Sequence, residues 1–340
     1  MSRELREYEV AVVGGGPAGL TTALYATRLG HDTVLIDRGG GRAAMMLDTH
    51  NVIGITEDVS GNDLLGRARE QVEGYGADVR QEFVERVERV GGPEDDAPFR
   101  LETGDEEYAA DRVVLATGFT DARPDPPLPR TGRGLHYCLH CDAYMFVDEP
   151  VFSMGHGDSA AYVAMIMLNF TDEVDLLLDG DDPSWSDETD ELLRAHPVDI
   201  VEEAVTGTFQ DEDDPDWLGG LEFADGTTRG YRGGFPMYGS DYNNGLAADL
   251  GAETNDDGTV AVDDHGRTSV DGLYAVGDLT PGHNQVPVAM GQGAKAGIAV
   301  HKGLRTFPKP LDELDDGVDA ADVPAISPDL RAAARTHGDD

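Results

Sequence analysis

Two α/β domains, the second inserted into the first, follow from three features of this 340-residue sequence. A strand, a glycine-rich turn, a helix, a second strand and an acidic residue succeed one another twice, from Tyr8 to Asp37 and from Val151 to Asp179. Between the two copies the apolar run Val113-Val114-Leu115 closes on Ala116-Thr117-Gly118. Near the C-terminus a further strand ends at Gly277-Asp278. Strands alternating with helices predict parallel sheets with helices on both faces, a three-layer, Rossmann-like arrangement. The boundaries expected are 1–117 plus 241–340 for the outer domain and 118–240 for the inserted one.

In the first copy, Tyr8–Val13 is an apolar strand that runs into Gly14-Gly15-Gly16-Pro17-Ala18-Gly19. A helical pattern follows over 20–29, and the strand Thr33–Ile36 ends at Asp37, at the ~20-residue offset of a dinucleotide fingerprint. One glycine permits the tight turn, one lets backbone N–H groups approach a pyrophosphate, and one allows close helix–strand packing. The helix N-terminus supplies a positive field for phosphates, and Asp37 is placed to accept from a ribose hydroxyl. Gly14, Gly16, Pro17, Ala18, Gly19 and Asp37 are therefore candidate cofactor ligands.

The second copy begins with Val151–Met154 and Gly155-His156-Gly157-Asp158-Ser159-Ala160. A helix is expected over 161–170, then a strand, Val174–Leu178, ending at Asp179. Gly155, Gly157, Ala160 and Asp179 are the corresponding candidates. Beyond Phe307 the chain is rich in Asp and poor in apolar residues, which predicts a solvated, loosely attached tail.

Between the copies lies His136-Tyr137-Cys138-Leu139-His140-Cys141-Asp142, which holds both cysteines of the chain. A pair at this spacing can close a small redox-active disulfide, and the arrangement lowers the pKa of one thiol. Asp142 is placed to shuttle a proton during dithiol–disulfide exchange. A zinc site built from Cys138, Cys141, His136 and His140 is the competing reading. Structural zinc normally draws on two separated ligand pairs, whereas these four lie within one short run, so no metal is expected.

The charge balance is extreme, with 25 basic and 67 acidic residues and a net charge of −42. Such a surface repels nucleic acid and anionic lipid, which excludes both as partners. The acids are spread between well-patterned apolar segments, so a folded protein of a high-salt cytoplasm is expected rather than a disordered one. The charged N-terminus predicts no signal peptide, and no apolar run reaches the roughly 20 residues of a membrane helix.

The order of these motifs resembles the low-molecular-weight thioredoxin reductases, FAD-dependent pyridine nucleotide-disulfide oxidoreductases, over residues 8–304. The cysteine pair just before the second nucleotide fold is the most specific feature, because relatives of the glutathione reductase kind carry theirs near the N-terminus. The resemblance implies FAD bound through the first glycine turn and through Ala116, Thr117 and Gly118. Gly277 and Asp278 are similar to the family's C-terminal FAD motif, whose aspartate accepts from the ribityl chain. Gln285 matches the family's Arg-Gln pair near the flavin, while Asn284 does not. A helix over 288–300 would point its N-terminus at the flavin. By the same resemblance Cys141 faces the flavin, Cys138 attacks the partner disulfide and Asp142 is the acid. Thioredoxin or a similar small protein is then the partner, and a homodimer the expected assembly.

The second fold departs from the family. NADPH-using relatives follow its second strand with a His-Arg-Arg run that binds the 2′-phosphate, where this chain has Leu178-Asp179-Gly180-Asp181-Asp182. Between Gly134 and Thr228 the only Lys or Arg is Arg194. NADPH is therefore disfavoured, and NADH remains compatible through Asp179. Ferredoxin or another reduced partner as donor, and a dithiol oxidase that passes electrons to oxygen, are the alternatives. Asp142 favours the reductase, because those oxidases usually carry His at that place. A flavoprotein that only holds FAD is the non-enzymatic reading.

Overall fold

The computed structural model describes residues 5–91, 98–305, 307–311, 314, 317–319, 323 and 325–337. It divides into two compact units, 1–119 with 242–340, and 120–241.

The first unit opens with β1 (Leu5–Val13), α1 (Pro17–Arg28), β2 (Thr33–Ile36), α2 (Gly61–Gly74), β3 (Asp78–Arg80), β4 (Val84–Arg89), β5 (Phe99–Thr103) and β6 (Glu107–Leu115). The chain passes into the second unit within β7 (Phe119–Asp121). It continues there as α3 (Leu139–Asp142), β8 (Val151–Met154), α4 (Asp158–Met167), β9 (Val174–Leu177), α5 (Asp187–Arg194), β10 (Asp199–Val201), β11 (Val205–Gln210), β12 (Leu218–Phe223), β13 (Thr228–Gly230) and β14 (Gly233–Pro236). It returns within β15 (Ser240–Tyr242) and ends with α6 (Gly245–Asp249), β16 (Leu273–Ala275), α7 (Val286–Leu304) and α8 (Pro328–His337).

The sheet of the first unit runs β3-β2-β1-β6-β5-β4. β3, β2, β1 and β6 are parallel, with Val10–Val13 in register with both Thr33–Ile36 and Arg112–Leu115. β6 is long enough to serve two neighbours on one edge: antiparallel β5 along Glu107–Ala110 and parallel β16 along Val113–Leu115. Val10, Val12 and Val114 pack against α1 and α7, while Ala11, Val13, Val113 and Leu115 point into the other core. Burial on both faces explains why these strands read as continuous apolar runs. α7 lies close against α1 because Gly293 and Gly297, one turn apart, carry no side chain. A Cβ on Gly293 would strike the Ala18 carbonyl, and Thr22 Oγ1 donates to the Gly293 carbonyl at 3.2 Å.

The second unit carries the parallel sheet β10-β9-β8-β14 and the antiparallel sheet β11-β12-β13. Phe146, Val151, Leu176 and Phe235 pack with α4 in one core, while Phe152, Met154, Leu177 and Leu221 fill another.

The expectation of a loosely attached tail is corrected for residues 326–329, although the described tail residues are exposed or part-exposed and the others lie outside the described residues. α8 and the residues before it dock on the first unit: Ser327 N–H donates to the Gly30 carbonyl at 3.2 Å, and Ile326 covers Gly30. Asp329 lies so close to Gly76 that a Cβ there would sit 2.6 Å from it. Glycines at two surface turns make the room, a long-range match that composition does not reveal.

Candidate functional site

In the first unit three separate motifs converge. β1 ends at Gly14, whose φ of +108° and contact with the Ala116 carbonyl admit no side chain. A Cβ on Gly277 (φ +70°) would lie 2.8 Å from Ala18, and one on Gly118 would lie 3.9 Å from Asp278. Gly14–Gly19, Ala116–Gly118 and Gly277–Asp278 are thus held side by side at the carboxyl ends of β1, β6 and β16, where ligands of open α/β sheets bind.

Gly16 is the extended N-cap of α1 and has no capping side chain; Pro17 stands in the first turn, which carries no acid. A Cβ on Gly16 would meet nothing within 4 Å. Uncapped helix N–H groups behind open space suit a pyrophosphate, so these residues fit the dinucleotide part of FAD.

Asp37 needs a correction in detail. Its carboxylate is not left for a ribose alone, because Arg69 from α2 holds Oδ2 at 2.9 Å. Asp278 stands 3.4 Å from Arg42, whose guanidinium lies 4.4 Å over the Phe119 ring. The Gly277 N–H donates to Gln292 Oε1 at 2.8 Å, tying the Gly-Asp turn to α7. Asn243 clamps the Ala-Thr-Gly turn: its side chain donates to the Thr117 carbonyl (2.9 Å) and its backbone N–H to the Gly118 carbonyl (2.9 Å). Gln285 stands at the N-cap position of α7 without a side-chain capping bond, and its Oε1 accepts from Asn51 at 2.7 Å. Arg42, Asn51, Arg69, Asn243 and Gln292 were not singled out by sequence reasoning, and no local spacing signals them.

In the second unit Cys138 and Cys141 are joined in a disulfide, with Cα atoms 5.3 Å apart. Cys138 is the extended N-cap of α3, and its carbonyl accepts from the N–H groups of Cys141 (3.2 Å) and Asp142 (3.3 Å). Both cysteines are part-exposed. Asp142 Oδ2 lies 2.7 Å from Nδ1 of His136, which is buried. The sequence pattern presents His136 only as a metal ligand. Among the described residues no three His, Cys, Asp or Glu side chains converge on a metal position.

The second glycine turn has the expected backbone: Gly155 at φ +137° against Met237 and Ala160, and Gly157 as N-cap of α4. Around it the protein uses its own groups. Ser184 bonds to His156 through backbone (2.8 Å) and side chain (2.9 Å). Asp158 accepts from Ser186 and from Thr189, whose hydrogen bond is the chief cause of its lowered pKa.

Asp179, expected as a ribose acceptor, already accepts two hydrogen bonds from the protein. At φ +56° its carboxylate turns inward, and Oδ1 accepts from the Val205 N–H (2.8 Å) and Oδ2 from the Tyr238 hydroxyl (2.9 Å). Burial and the charge of Asp179 push the Tyr238 phenol far up, so it stays a donor. Asp179 also borders a cavity of about 210 Å³ with Met154, Val205 and the proline-rich run from Pro124. Arg194 is spent on Asp190, one turn earlier on α5, at 2.7 Å.

Comparison with known proteins agrees with this organisation. The family model described as pyridine nucleotide-disulphide oxidoreductase matches residues 8–293. A thioredoxin reductase of Mycolicibacterium smegmatis is 31% identical, over 89% of this chain and 99% of its own. That of Peptoclostridium litorale is 28% identical, over 87% of this chain and 96% of its own. Among solved structures, the thioredoxin reductase from Streptococcus pyogenes MGAS5005 superposes with a TM-score of 0.80 at 28% identity, covering 88% of this chain and 99% of its own. HlmI superposes at 0.79 with 30% identity, covering 97% of both chains. With the converged glycine motifs and the Cys138–Cys141 disulfide, these matches place the chain in the pyridine nucleotide-disulphide oxidoreductase family, as an FAD disulfide oxidoreductase related to thioredoxin reductases.

Proposed function

We propose that the enzyme exchanges two electrons between its Cys138–Cys141 pair and the disulfide of thioredoxin or a similar small protein. The observation that carries this is the closed disulfide at the start of α3, part-exposed and with the Asp142 carboxyl anchored beside it. FAD, held through Gly14, Gly16, Pro17, Ala18, Gly19, Asp37, Ala116, Thr117, Gly118, Gly277, Asp278 and Gln285, supplies two-electron redox chemistry when bound. Cys138 is the thiol that attacks the partner and Cys141 the one that resolves the mixed disulfide, with Asp142 protonating the leaving thiolate. The expected setting is a homodimer in a salt-rich cytoplasm; among the described residues no helix is long and apolar enough to cross a membrane.

NADPH is a poor donor on this reading. A 2′-phosphate needs cationic donors, and in the second unit Asp181 and Asp182 follow the strand while Arg194 is paired to Asp190. Losing even one charge-assisted hydrogen bond costs about 1.5–3 kcal/mol, so losing two or three lowers affinity by several powers of ten. NADH escapes that penalty, binding at Gly155, Gly157 and Ala160, but must share Asp179 with Val205 and Tyr238. That sharing favours a second reading, in which a ferredoxin-like protein or a dithiol is the donor. Anaerobic stopped-flow bleaching of the flavin with NADH, NADPH, reduced ferredoxin and dithiols decides among them. NADPH is expected to be slowest, and rapid bleaching by micromolar NADPH would overturn this reading of the second unit.

A further inference from the structure

We infer that His136 is a positioning residue for the exchange reaction: through Nδ1 it fixes the Asp142 carboxyl and shares its proton. This rests on the reading of Asp142 as the acid, and adds a partner that the sequence pattern did not assign.

His136 is 5% exposed, and its ring is walled by Phe146 (5.3 Å between centroids), Phe235 (6.2 Å) and Trp217 (6.3 Å). Nε2 is buried with no hydrogen-bond partner. An idle polar nitrogen in such a place is destabilising, and an aromatic hydrocarbon would fill the space without that cost. The one compensating interaction is on the other side of the ring, the 2.7 Å contact of Nδ1 with Asp142 Oδ2. Asp142 is itself tied to the cysteines, its N–H donating to the Cys138 carbonyl. The charged groups nearest the aromatic wall are committed elsewhere: Arg232 stacks on Trp217 at 4.5 Å and reaches Asp211 at 3.8 Å, and Arg123 stacks on Tyr137 at 5.7 Å.

The Cys138 thiolate forms a bond to one sulfur of the substrate disulfide, whose S–S bond breaks. The departing thiolate takes the proton shared by Asp142 and His136. Cys141 thiolate then attacks Cys138, closing the enzyme disulfide and releasing the second substrate thiolate, which is protonated in turn. Two electrons leave the enzyme dithiol and both its protons end on the product. Between the two departures the Asp142–His136 pair takes the proton of the Cys141 thiol, which becomes the attacking thiolate, while Nδ1 keeps the carboxyl in place.

The test uses holoenzyme reduced chemically, freed of reductant, and mixed anaerobically with one of two substrates. One is an aliphatic disulfide, oxidised lipoamide, whose leaving thiolate needs a proton. The other is an aromatic disulfide, whose low-pKa thiolate leaves without one. The ratio of the two rates cancels the thiolate fraction of the enzyme. H136F, which keeps the ring's shape, should lower this ratio about tenfold or more, less than the roughly 10²–10⁴ of losing a general acid outright because Asp142 is retained. H136N, whose amide N–H overlays Nδ1, should restore the ratio. Equal slowing of both substrates by H136F, or a ratio in H136N as low as in H136F, overturns the inference and leaves Asp142 as the acid. D142N tests that underlying reading: if it leaves the ratio unchanged, the acid assignment itself fails and the role of His136 falls with it.

Discussion

Glu9 shows how a single residue in this very acidic chain is made stabilising. Burial alone would raise its pKa, but the His31 ring beside it and hydrogen bonds from Arg305 and the Asp32 N–H outweigh that and bring it down to about 2. Arg305 at the end of α7 grips both carboxylate oxygens, and His31 approaches to 3.5 Å. A depressed value means the contribution is fully present above the unfolded carboxylate's ~4.3 and is lost as pH falls through about 2. Glu9→Gln should therefore lower the unfolding midpoint at neutral pH, by about 1–3 kcal/mol for the unpaired Arg305, and flatten the acid limb between those two values. Thermal melts of both proteins from pH 2 to 7 measure this; parallel curves would refute it. The same scale explains what sequence could not show. Asp37 and Asp179 sit at the right offsets, yet their partners Arg69, Val205 and Tyr238 lie 26 to 59 residues away. The carboxylates were legible, and the donors that occupy them were not.

At the scale of elements, the glycine turns and strands were legible because their constraints are local. A positive φ at Gly14, Gly155 and Gly277 and burial on both faces of β1 and β6 leave marks in consecutive residues. Boundaries moved by a few residues: α1 begins at Pro17, α4 at Asp158 and α7 at Val286, each taking in residues assigned to the preceding turn. Pro is tolerated in a first helical turn because its missing N–H would have no intrahelical partner there. What the pattern hides is how helices meet. Gly293 looks like a weak point in α7, yet it is the place where α1 and α7 touch backbone to backbone. Gly293→Ala, ordinarily helix-stabilising, should here cost about 1–3 kcal/mol by overpacking and loosen FAD retention, since α1 carries the Gly16 turn. Differential scanning fluorimetry and the flavin-to-protein absorbance ratio of the purified variant check it. An unchanged or higher midpoint would show that the two helices can separate freely.

The whole molecule carries a net charge of −42. Self-repulsion of this size opposes folding, and salt reduces its range from ~10 Å at 0.1 M to ~3 Å at 1 M. Salt also weakens ion pairs such as Glu9–Arg305, but 67 acids against 25 bases leave 42 more acids than bases. Melting temperature should thus rise by several degrees between those two salt concentrations; a flat or falling curve would contradict the proposal of a salt-rich setting. Fold, cofactor turns and the cysteine pair were readable at this scale because motif order is a property of the chain. The donor was not, because it depends on whether a nucleotide finds free hydrogen-bonding groups in the second unit.

The central claim, that Cys138 and Cys141 work with FAD as a redox unit, is tested most directly by anaerobic reductive titration of the purified holoenzyme. The wild type should take up about four electrons per chain, two for the flavin and two for the disulfide couple, and Cys138→Ser/Cys141→Ser about two. An equal uptake by both proteins would contradict it.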